Sequence, residues 1–221
     1  GTSDANEHGR EMMTDAQAFH PHIHAKSSPD KPAFIMAHSG EMVTFKELDE
    51  RSNQGAQLFR SLGLQKGDTI ALFLDNSPRY FEIAYAAQRS GLYFTCISSR
   101  LTAPEVKYIV EDSGSKYLIS CPNLADVARE TKAITDIAGY YSVDGDIEGF
   151  ERFETARAGH PSTPIADQSA GADMLYSSGT TGRPKGLRPP LDPNAPIDGD
   201  NALRMIAAAA GGINPDSIYL S

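Results

Sequence analysis

Short apolar runs alternate with amphipathic stretches along most of this 221-residue chain. The apolar runs have the length of strands, and the stretches between them repeat their apolar residues at helical spacing. Strands of nearly continuous apolar character separated by helices are typical of a parallel sheet. We therefore expect an α/β fold with a mostly parallel sheet, helices on both faces and right-handed crossovers.

Local signals place the individual elements. Residues 33–37 and 42–45 read as a hairpin, and Thr44 with Glu47 forms a capping box for a helix that Gly63 ends. Thr102 and Glu105 form a second capping box. Further helices are expected at 79–90, 103–112, 124–137, near 150–157 and at 201–210, and strands at 69–74, 92–97, 116–120, 140–143, 174–176 (with a strand-like lead-in from 172) and 217–220.

The chain divides into three parts on this reading. Residues 1–27 are expected to be a flexible lead-in, 28–171 an α/β subdomain with an amino-terminal hairpin and helix, and 172–221 the start of a second α/β subdomain. Four prolines between Arg188 and Pro196 exclude a central strand there, because proline donates no hydrogen bond to a neighbouring strand.

Charge and composition limit the partners. The chain has 20 Lys and Arg against 29 Asp and Glu, a net charge of −9, which opposes nucleic-acid binding and does not attract anions. Any polyphosphate site must therefore be local. No stretch has the length of a transmembrane helix, and the polar start shows no secretory signal. Cys96 and Cys121 have no metal or redox spacing, so we expect reduced, buried thiols and a cytoplasmic protein.

Three histidines alternate at His20, His22 and His24. A metal site is conceivable for this spacing, but no fourth ligand lies nearby in the sequence. A solvated lead-in segment is the preferred interpretation, and no metal ligand is assigned.

The segment Tyr176-Ser-Ser-Gly-Thr-Thr-Gly-Arg-Pro-Lys-Gly186 contains the strongest chemical signal. Glycines allow successive backbone N–H groups to point into one concavity, hydroxyls add donors, and Lys185 adds a positive charge. The kinase-type phosphate loop does not fit, because Pro184 stands where that motif needs glycine and Gly186 follows the lysine. A flexible linker is the alternative, but a linker has no reason to follow a buried strand or to contain Pro-Lys-Gly.

This segment closely resembles the phosphate loop of the adenylate-forming superfamily, which includes acyl-CoA synthetases, nonribosomal-peptide adenylation domains and beetle luciferases. Other blocks resemble the amino-terminal half of that family, in its order and spacing from about Ser28 to Gly186. They are Asp30–Ala33, Thr44–Asn53, Lys66–Asp68, Asn76–Pro78, Ser99–Thr102 and Tyr108–Gly114.

The resemblance implies an incomplete amino-terminal domain of an adenylate-forming enzyme, with ATP, Mg²⁺ and CoA as cofactor and cosubstrates. It implies that Lys185 stabilises the departing pyrophosphate, a catalytic role, and that Arg183 faces solvent. The residues implied to bind the β- and γ-phosphates are Ser177, Ser178, Gly179, Thr180, Thr181, Gly182, Lys185 and Gly186.

Family chains are more than twice as long as this one. The family's later motifs, which hold the adenine, ribose and magnesium, and its carboxy-terminal domain have no counterpart before Ser221. The chain is therefore interpreted as a truncated portion, inactive alone and lacking the remainder of its polypeptide, with homo-oligomer formation left open. Helix 45–62 or the segment after the loop should then leave apolar surface uncovered.

Within the family, Ser99–Thr102 after the apolar run 93–97 looks like the acyl-CoA synthetase branch that handles fatty or other bulky carboxylic acids. The expected function is therefore AMP-forming acid–CoA ligation, with a fatty acid as the expected substrate. Two alternatives stay open: an amino-acid-activating adenylation module, and a non-catalytic half-domain that binds nucleotide or serves as an interaction module.

Overall fold

A computed structural model describes residues 20–177 and 182–199, together with the backbone of residues 219–220. Its main feature is a parallel sheet of six strands, in the spatial order β7-β6-β5-β3-β4-β8. These strands are β3 (Thr69–Phe73), β4 (Tyr93–Cys96), β5 (Ser115–Ser120), β6 (Gly139–Ser142), β7 (Glu151–Arg152) and β8 (Ala172–Asp173). The sheet confirms the predicted α/β fold class.

The middle strand β3 is buried along its whole length. Successive side chains of a strand point to opposite faces, so its residues divide between two apolar clusters. Ile70 and Leu72 pack into one cluster, while Ala71 and Phe73 pack into the other. A strand covered on both faces needs apolar residues at every position, which explains the continuous apolar run in the sequence.

Helices cover both faces of the sheet. The first face carries α2 (Phe45–Ser61), α3 (Tyr80–Arg89) and α6 (Phe153–Ala158), and the second carries α4 (Ala103–Asp112) and α5 (Ala125–Ile134). Both predicted capping boxes are present, since the Thr44 backbone N–H donates to Glu47 Oε2 at 2.9 Å and that of Thr102 donates to Glu105 Oε2 at 2.8 Å.

The predicted amino-terminal hairpin is also confirmed. Strands β1 (Pro32–Ile35) and β2 (Met42–Thr44) pair antiparallel, and Gly40 between them has φ +71°. Beyond the hairpin, β1 pairs in parallel with β11 (Tyr219–Leu220), which overlaps the strand predicted at 217–220. The helix predicted at 201–210 lies outside the described residues.

The structure corrects the expectation for the end of the lead-in. Residues 1–19 lie outside the described part, but Pro21–Ser27 forms a helix, α1, with proline at its first position. His20 is 5% exposed, and its ring lies 2.9 Å (Nε2 to Oε1) from Gln88. This histidine is therefore a packed residue and not part of a solvated segment.

Other boundaries differ from the prediction. Helix α5 ends at Ile134, three residues early, and a 3₁₀ turn (Pro122–Leu124) precedes it. Strand β7 pairs with β6 and forms one edge of the sheet, although the sequence indicated only a loop and helix there. Cys121 is buried as expected, whereas Cys96 is exposed, and both thiols are free.

Two buried ionic groups join the helices on the first face. Arg89, 1% exposed, donates from Nη2 to Asp49 Oδ1 at 2.9 Å. The fully buried Glu82 lies 3.0–3.5 Å from three guanidinium groups on three separate segments. These belong to Arg51, Arg79 and Arg157.

The proline-rich segment 188–199 runs across the β4 and β8 side of the sheet and contains no strand, as predicted. Side chains of the α/β body hold it through its backbone carbonyl groups. Lys66 Nζ donates to Pro193 O at 2.8 Å, Gln88 Nε2 donates to Ile197 O at 2.7 Å, and Tyr93 donates its hydroxyl to Pro189 O.

Candidate functional site

The segment with the phosphate-loop pattern begins just beyond the carboxyl end of the edge strand β8. The sequence predicts one strand up to Tyr176, but the structure divides it into two. β8 continues the parallel sheet, and after Met174 the strand β9 (Leu175–Ser177) forms an antiparallel hairpin with β10 (Lys185–Leu187). Carboxyl ends of parallel strands are where open α/β sheets place ligands.

The hairpin register determines which side chains share a face. Ser177 pairs with Lys185, Tyr176 with Gly186, and Leu175 with Leu187. Since side chains alternate along a strand, Ser177, Lys185 and the two leucines lie on one face, and Tyr176 lies on the other. Ser178, Gly179, Thr180 and Thr181, which come between the two strands in the sequence, lie outside the described residues.

The face that carries Lys185 is open. Leu175 is 53% and Leu187 63% exposed, and Lys185 is exposed as well. Among the described residues, none forms an ion pair with the Lys185 ammonium group. Of the two places where apolar exposure was expected, the segment after the loop has the exposed Leu187, whereas the apolar stripe of α2 is buried, with Leu48, Ala56 and Phe59 each at most 3% exposed.

The other face of the hairpin rests on helix α4. The Tyr176 hydroxyl donates to Asp112 Oδ2 at 2.7 Å, and the Tyr108 hydroxyl donates to Pro184 O at 2.9 Å. Burial and the neighbouring carboxylate of Asp112 raise the pKa of Tyr176, so its hydroxyl remains a donor at neutral pH. Both strands of the hairpin are thus attached to one helix.

Two glycines have conformational reasons to be in this segment. Gly182 has φ +133°, a backbone conformation that residues with a side chain rarely adopt. A Cβ atom at Gly186 would lie 2.9 Å from Cζ of Tyr176, and it would also collide with Met174 Cε. The glycine at 186 therefore allows Tyr176 to pack closely against β10.

Arg183 is exposed, in agreement with the solvent-facing position implied by the family pattern. Its guanidinium carbon lies 5.1 Å from the ring centroid of Tyr108, in cation–π contact. Arg183 and Lys185 together bring two positive charges to the hairpin of a chain with net charge −9.

The three alternating histidines and the acidic residues were considered as metal ligands. Within residues 20–177 and 182–199, no group of three or more His, Cys, Asp or Glu side chains could hold a metal ion. The rings of His20 and His22 lie 4.7 Å apart (centroid to centroid), but His20 contacts Gln88, His22 lies 3.3 Å from Asp198, and the ring of His24 stacks on Phe45.

The structure brings Ser177, Lys185 and Gly186 together in the hairpin and places Gly182 beside it. That these residues bind phosphate stays a prediction. Sequence reasoning did not identify Tyr108 and Asp112 as part of this region, although they stand one helical turn apart in a block that resembles the family.

No helix in the described part of the chain is long and apolar enough to cross a membrane.

Comparison with known proteins identifies the family of this chain. A family model described as "AMP-binding enzyme" matches residues 22–187, three quarters of the chain. The chain is 33% identical over 168 residues to the long-chain-fatty-acid–CoA ligase FadD13 of Mycobacterium tuberculosis, covering 74% of this chain and 32% of that protein. It is 31% identical over 176 residues to the fatty acid–[acyl-carrier-protein] ligase ScoC of Streptomyces coeruleorubidus, covering 75% and 31%.

Among solved structures, the chain is similar to the inhibitor-bound N-terminal domain of FACL13 from Mycobacterium tuberculosis. The TM-score is 0.68 at 28% identity, covering 77% of this chain and 43% of that one. The chain spans about a third of the length of the curated relatives that it matches. These matches confirm the family that the sequence blocks indicate.

Proposed function

The chain belongs to the AMP-binding enzyme family, and on that premise we propose that it supplies the phosphate-binding hairpin of an AMP-forming acid–CoA ligase. The substrate that we propose is a fatty acid. Support comes from the long-chain-fatty-acid–CoA ligase and the fatty acid–[acyl-carrier-protein] ligase among the relatives. CoA is the proposed acceptor of the acyl group, through its thiol.

The proposed reaction has two halves. A carboxylate oxygen of the acid attacks the α-phosphorus of ATP, the bond from that phosphorus to the bridging oxygen breaks, and pyrophosphate leaves. The resulting acyl-adenylate has a good leaving group, AMP, where the free carboxylate had none. The sulfur of CoA then attacks the acyl carbon, its proton is lost to solvent, and AMP departs as the thioester forms.

The residues of the hairpin act on the first half. Negative charge accumulates on the β-phosphate as its bond to the α-phosphorus breaks, and a fixed ammonium group beside it lowers the energy of that state. Lys185 is exposed, is joined to the sheet through the hairpin, and has no described ion-pair partner that would compete with phosphate. Ser177, opposite it, supplies a hydroxyl donor, and Gly182 and Gly186 permit the backbone to approach the phosphates.

The single observation that carries the proposal is the pairing of Lys185 with Ser177 on the open face of a hairpin that follows a parallel strand. A flexible linker would not have this register, nor would it be attached to a helix at both ends. Magnesium would enter bound to the phosphates of the nucleotide.

The test uses a polypeptide in which this chain is extended to the length of its relatives. AMP formation from ATP and CoA is measured with a panel of acids that contains fatty acids, aromatic acids and amino acids. The proposal expects AMP and acyl-CoA with fatty acids. Activity with amino acids alone would support an amino-acid-activating module, and no AMP with any acid would support a non-catalytic nucleotide-binding or interaction role.

The 221-residue chain by itself is the matched comparison. We expect it to form no AMP, because the proposed adenine, ribose and magnesium ligands are not among its residues. AMP formation by this chain alone, dependent on a carboxylic acid, would contradict that part of the proposal.

A cytoplasmic location remains the expectation from the two free cysteines.

A further inference from the structure

We propose that helix α4 positions the phosphate-binding hairpin, with Tyr108 and Asp112 as its two positioning residues. The inference rests on the proposed function, since it concerns the same hairpin. Tyr108 and Asp112 are four residues apart and therefore lie on the same side of the helix. Asp112 contacts Tyr176 in β9, and Tyr108 contacts Pro184, the residue next to the start of β10.

The two contacts hold different strands. Asp112 accepts a hydrogen bond of 2.7 Å from the hydroxyl of Tyr176, the residue that precedes Ser177 in β9. Tyr108 donates a hydrogen bond of 2.9 Å to the carbonyl of Pro184. Pro184 directly precedes Lys185, the first residue of β10. The peptide group that Tyr108 grips is therefore the one that carries the Lys185 nitrogen.

The helix is itself a rigid support. Val106 and Val110 are fully buried and Ile109 is 4% exposed, all three in the cluster that contains Phe73 of the central strand. Arg188 adds a third attachment, because its Nη2 donates at 2.7 Å to the carbonyl of Ser113 at the carboxyl end of α4. A two-stranded hairpin is marginal by itself, so its position depends on such attachments.

Positioning has a consequence for binding. If the backbone at Lys185 is already held in place before phosphate binds, binding does not have to order it. The entropy cost of binding is then smaller, and the affinity is higher. Removing the Tyr108 hydroxyl leaves the ring, and with it the contact with Arg183, while it frees the Pro184 carbonyl. Loss of one such neutral hydrogen bond should weaken pyrophosphate binding about fivefold.

The experiment compares Tyr108→Phe with Tyr140→Phe in the 221-residue chain. Tyr140 is the matched control, because it is also half-buried and also donates its hydroxyl to a backbone carbonyl, that of Thr135 at 3.2 Å. Two readouts are measured: affinity for inorganic pyrophosphate, and amide hydrogen exchange of Ser177, Lys185 and Gly186. We expect Tyr108→Phe to weaken affinity about fivefold and to speed exchange at these amides, with neither change in Tyr140→Phe.

A second pair of variants separates position from charge. Asp112→Asn keeps an oxygen that accepts from Tyr176, whereas Asp112→Ala removes it. Rescue in the asparagine variant and loss in the alanine variant support the inference. Unchanged exchange in both Tyr108→Phe and Asp112→Ala, or equal effects in Tyr140→Phe, would overturn it.

The exchange measurement also separates this inference from the proposed function. If the unmodified chain does not bind pyrophosphate, the proposed function fails, and faster exchange in Tyr108→Phe still supports positioning by α4. If the chain binds pyrophosphate, but Tyr108→Phe and Asp112→Ala show the same amide exchange and the same affinity as the unmodified chain, the proposed function stands and the inference is wrong.

Discussion

Lys185 lies directly opposite Ser177 across the antiparallel pair of strands β9 and β10. In the sequence these two residues are eight positions apart, and the hairpin makes them neighbours on one exposed face. A cation and a hydroxyl on one face are the two groups that the proposed phosphate site would use. The two exposed leucines next to them give the same face an apolar side.

Gly186→Ala tests the packing of that hairpin. The added Cβ would lie 2.9 Å from Cζ of Tyr176, so the tyrosine should move away from Asp112. We expect the free energy of unfolding in urea to fall by about 1–3 kcal/mol and pyrophosphate affinity to fall with it.

The control for this change is Gly159→Ala. A Cβ at Gly159 would meet only a backbone oxygen of Ala156, at an ordinary 3.6 Å, and that glycine has φ −75°. Equal unfolding free energies for the two alanine variants would show that Gly186 is not needed for packing.

A pH-dependent loss of stability should arise at His20. Burial, followed by the positive charges of Arg89 and His22, lowers the pKa of His20 well below 6.5. The unfolded chain takes up a proton near pH 6.5 while folded His20 stays neutral. Unfolding therefore binds a proton in the interval below pH 6.5, and stability should fall as the pH falls, by at most about 1.4 kcal/mol per pH unit for one histidine.

The measurement is urea unfolding between pH 7 and pH 5 for His20→Gln and His38→Gln. His22 contributes a slope of the same sign, because burial and then Arg89 lower its pKa too. His20→Gln should nevertheless reduce the change of the unfolding free energy with pH. Substitution of the exposed His38 should leave that pH dependence unchanged. A slope unaffected by His20→Gln would show that another group is responsible.

Glu82→Gln should be the most damaging conservative change in the described core. Glu82 is fully buried among the guanidinium groups of Arg51, Arg79 and Arg157, and its loss leaves buried positive charge uncompensated. Breaking such a group typically costs about 3–5 kcal/mol of unfolding free energy. Urea denaturation measures it, and Glu130→Gln, at an exposed position of α5, is the neutral control. A loss below about 1 kcal/mol would contradict this assignment.

Local sequence signals predicted most of the fold. The capping boxes at Thr44 and Thr102 fixed the starts of two helices because their hydrogen bonds involve residues only three apart. The continuous apolar run of β3 indicated a strand covered on both faces. These features depend on neighbouring residues alone, so a single sequence is enough to recognise them.

Contacts between distant residues were not predictable in this way. The burial of His20 depends on Gln88, 68 positions away, and nothing in the His-Pro-His-Ile-His pattern indicates that partner. The pairing of β9 with β10 and the attachment of Tyr176 to Asp112 arise from the way the chain folds back on itself. The resemblance of the motif supplied the candidate phosphate ligands, and Ser178, Gly179, Thr180 and Thr181 among them remain predictions.

The most direct test of the central claim is a titration of the isotope-labelled 221-residue chain with inorganic pyrophosphate, followed by NMR. We predict that the amide signals of Ser177, Gly182, Lys185 and Gly186 shift, and that Lys185→Ala weakens binding about tenfold or more, since a charge-assisted hydrogen bond contributes about 1.5–3 kcal/mol. Lys46→Ala, an exposed lysine on α2, should bind as the unmodified chain does. Absence of these shifts, or equal affinity in the unmodified chain and Lys185→Ala, would contradict the account.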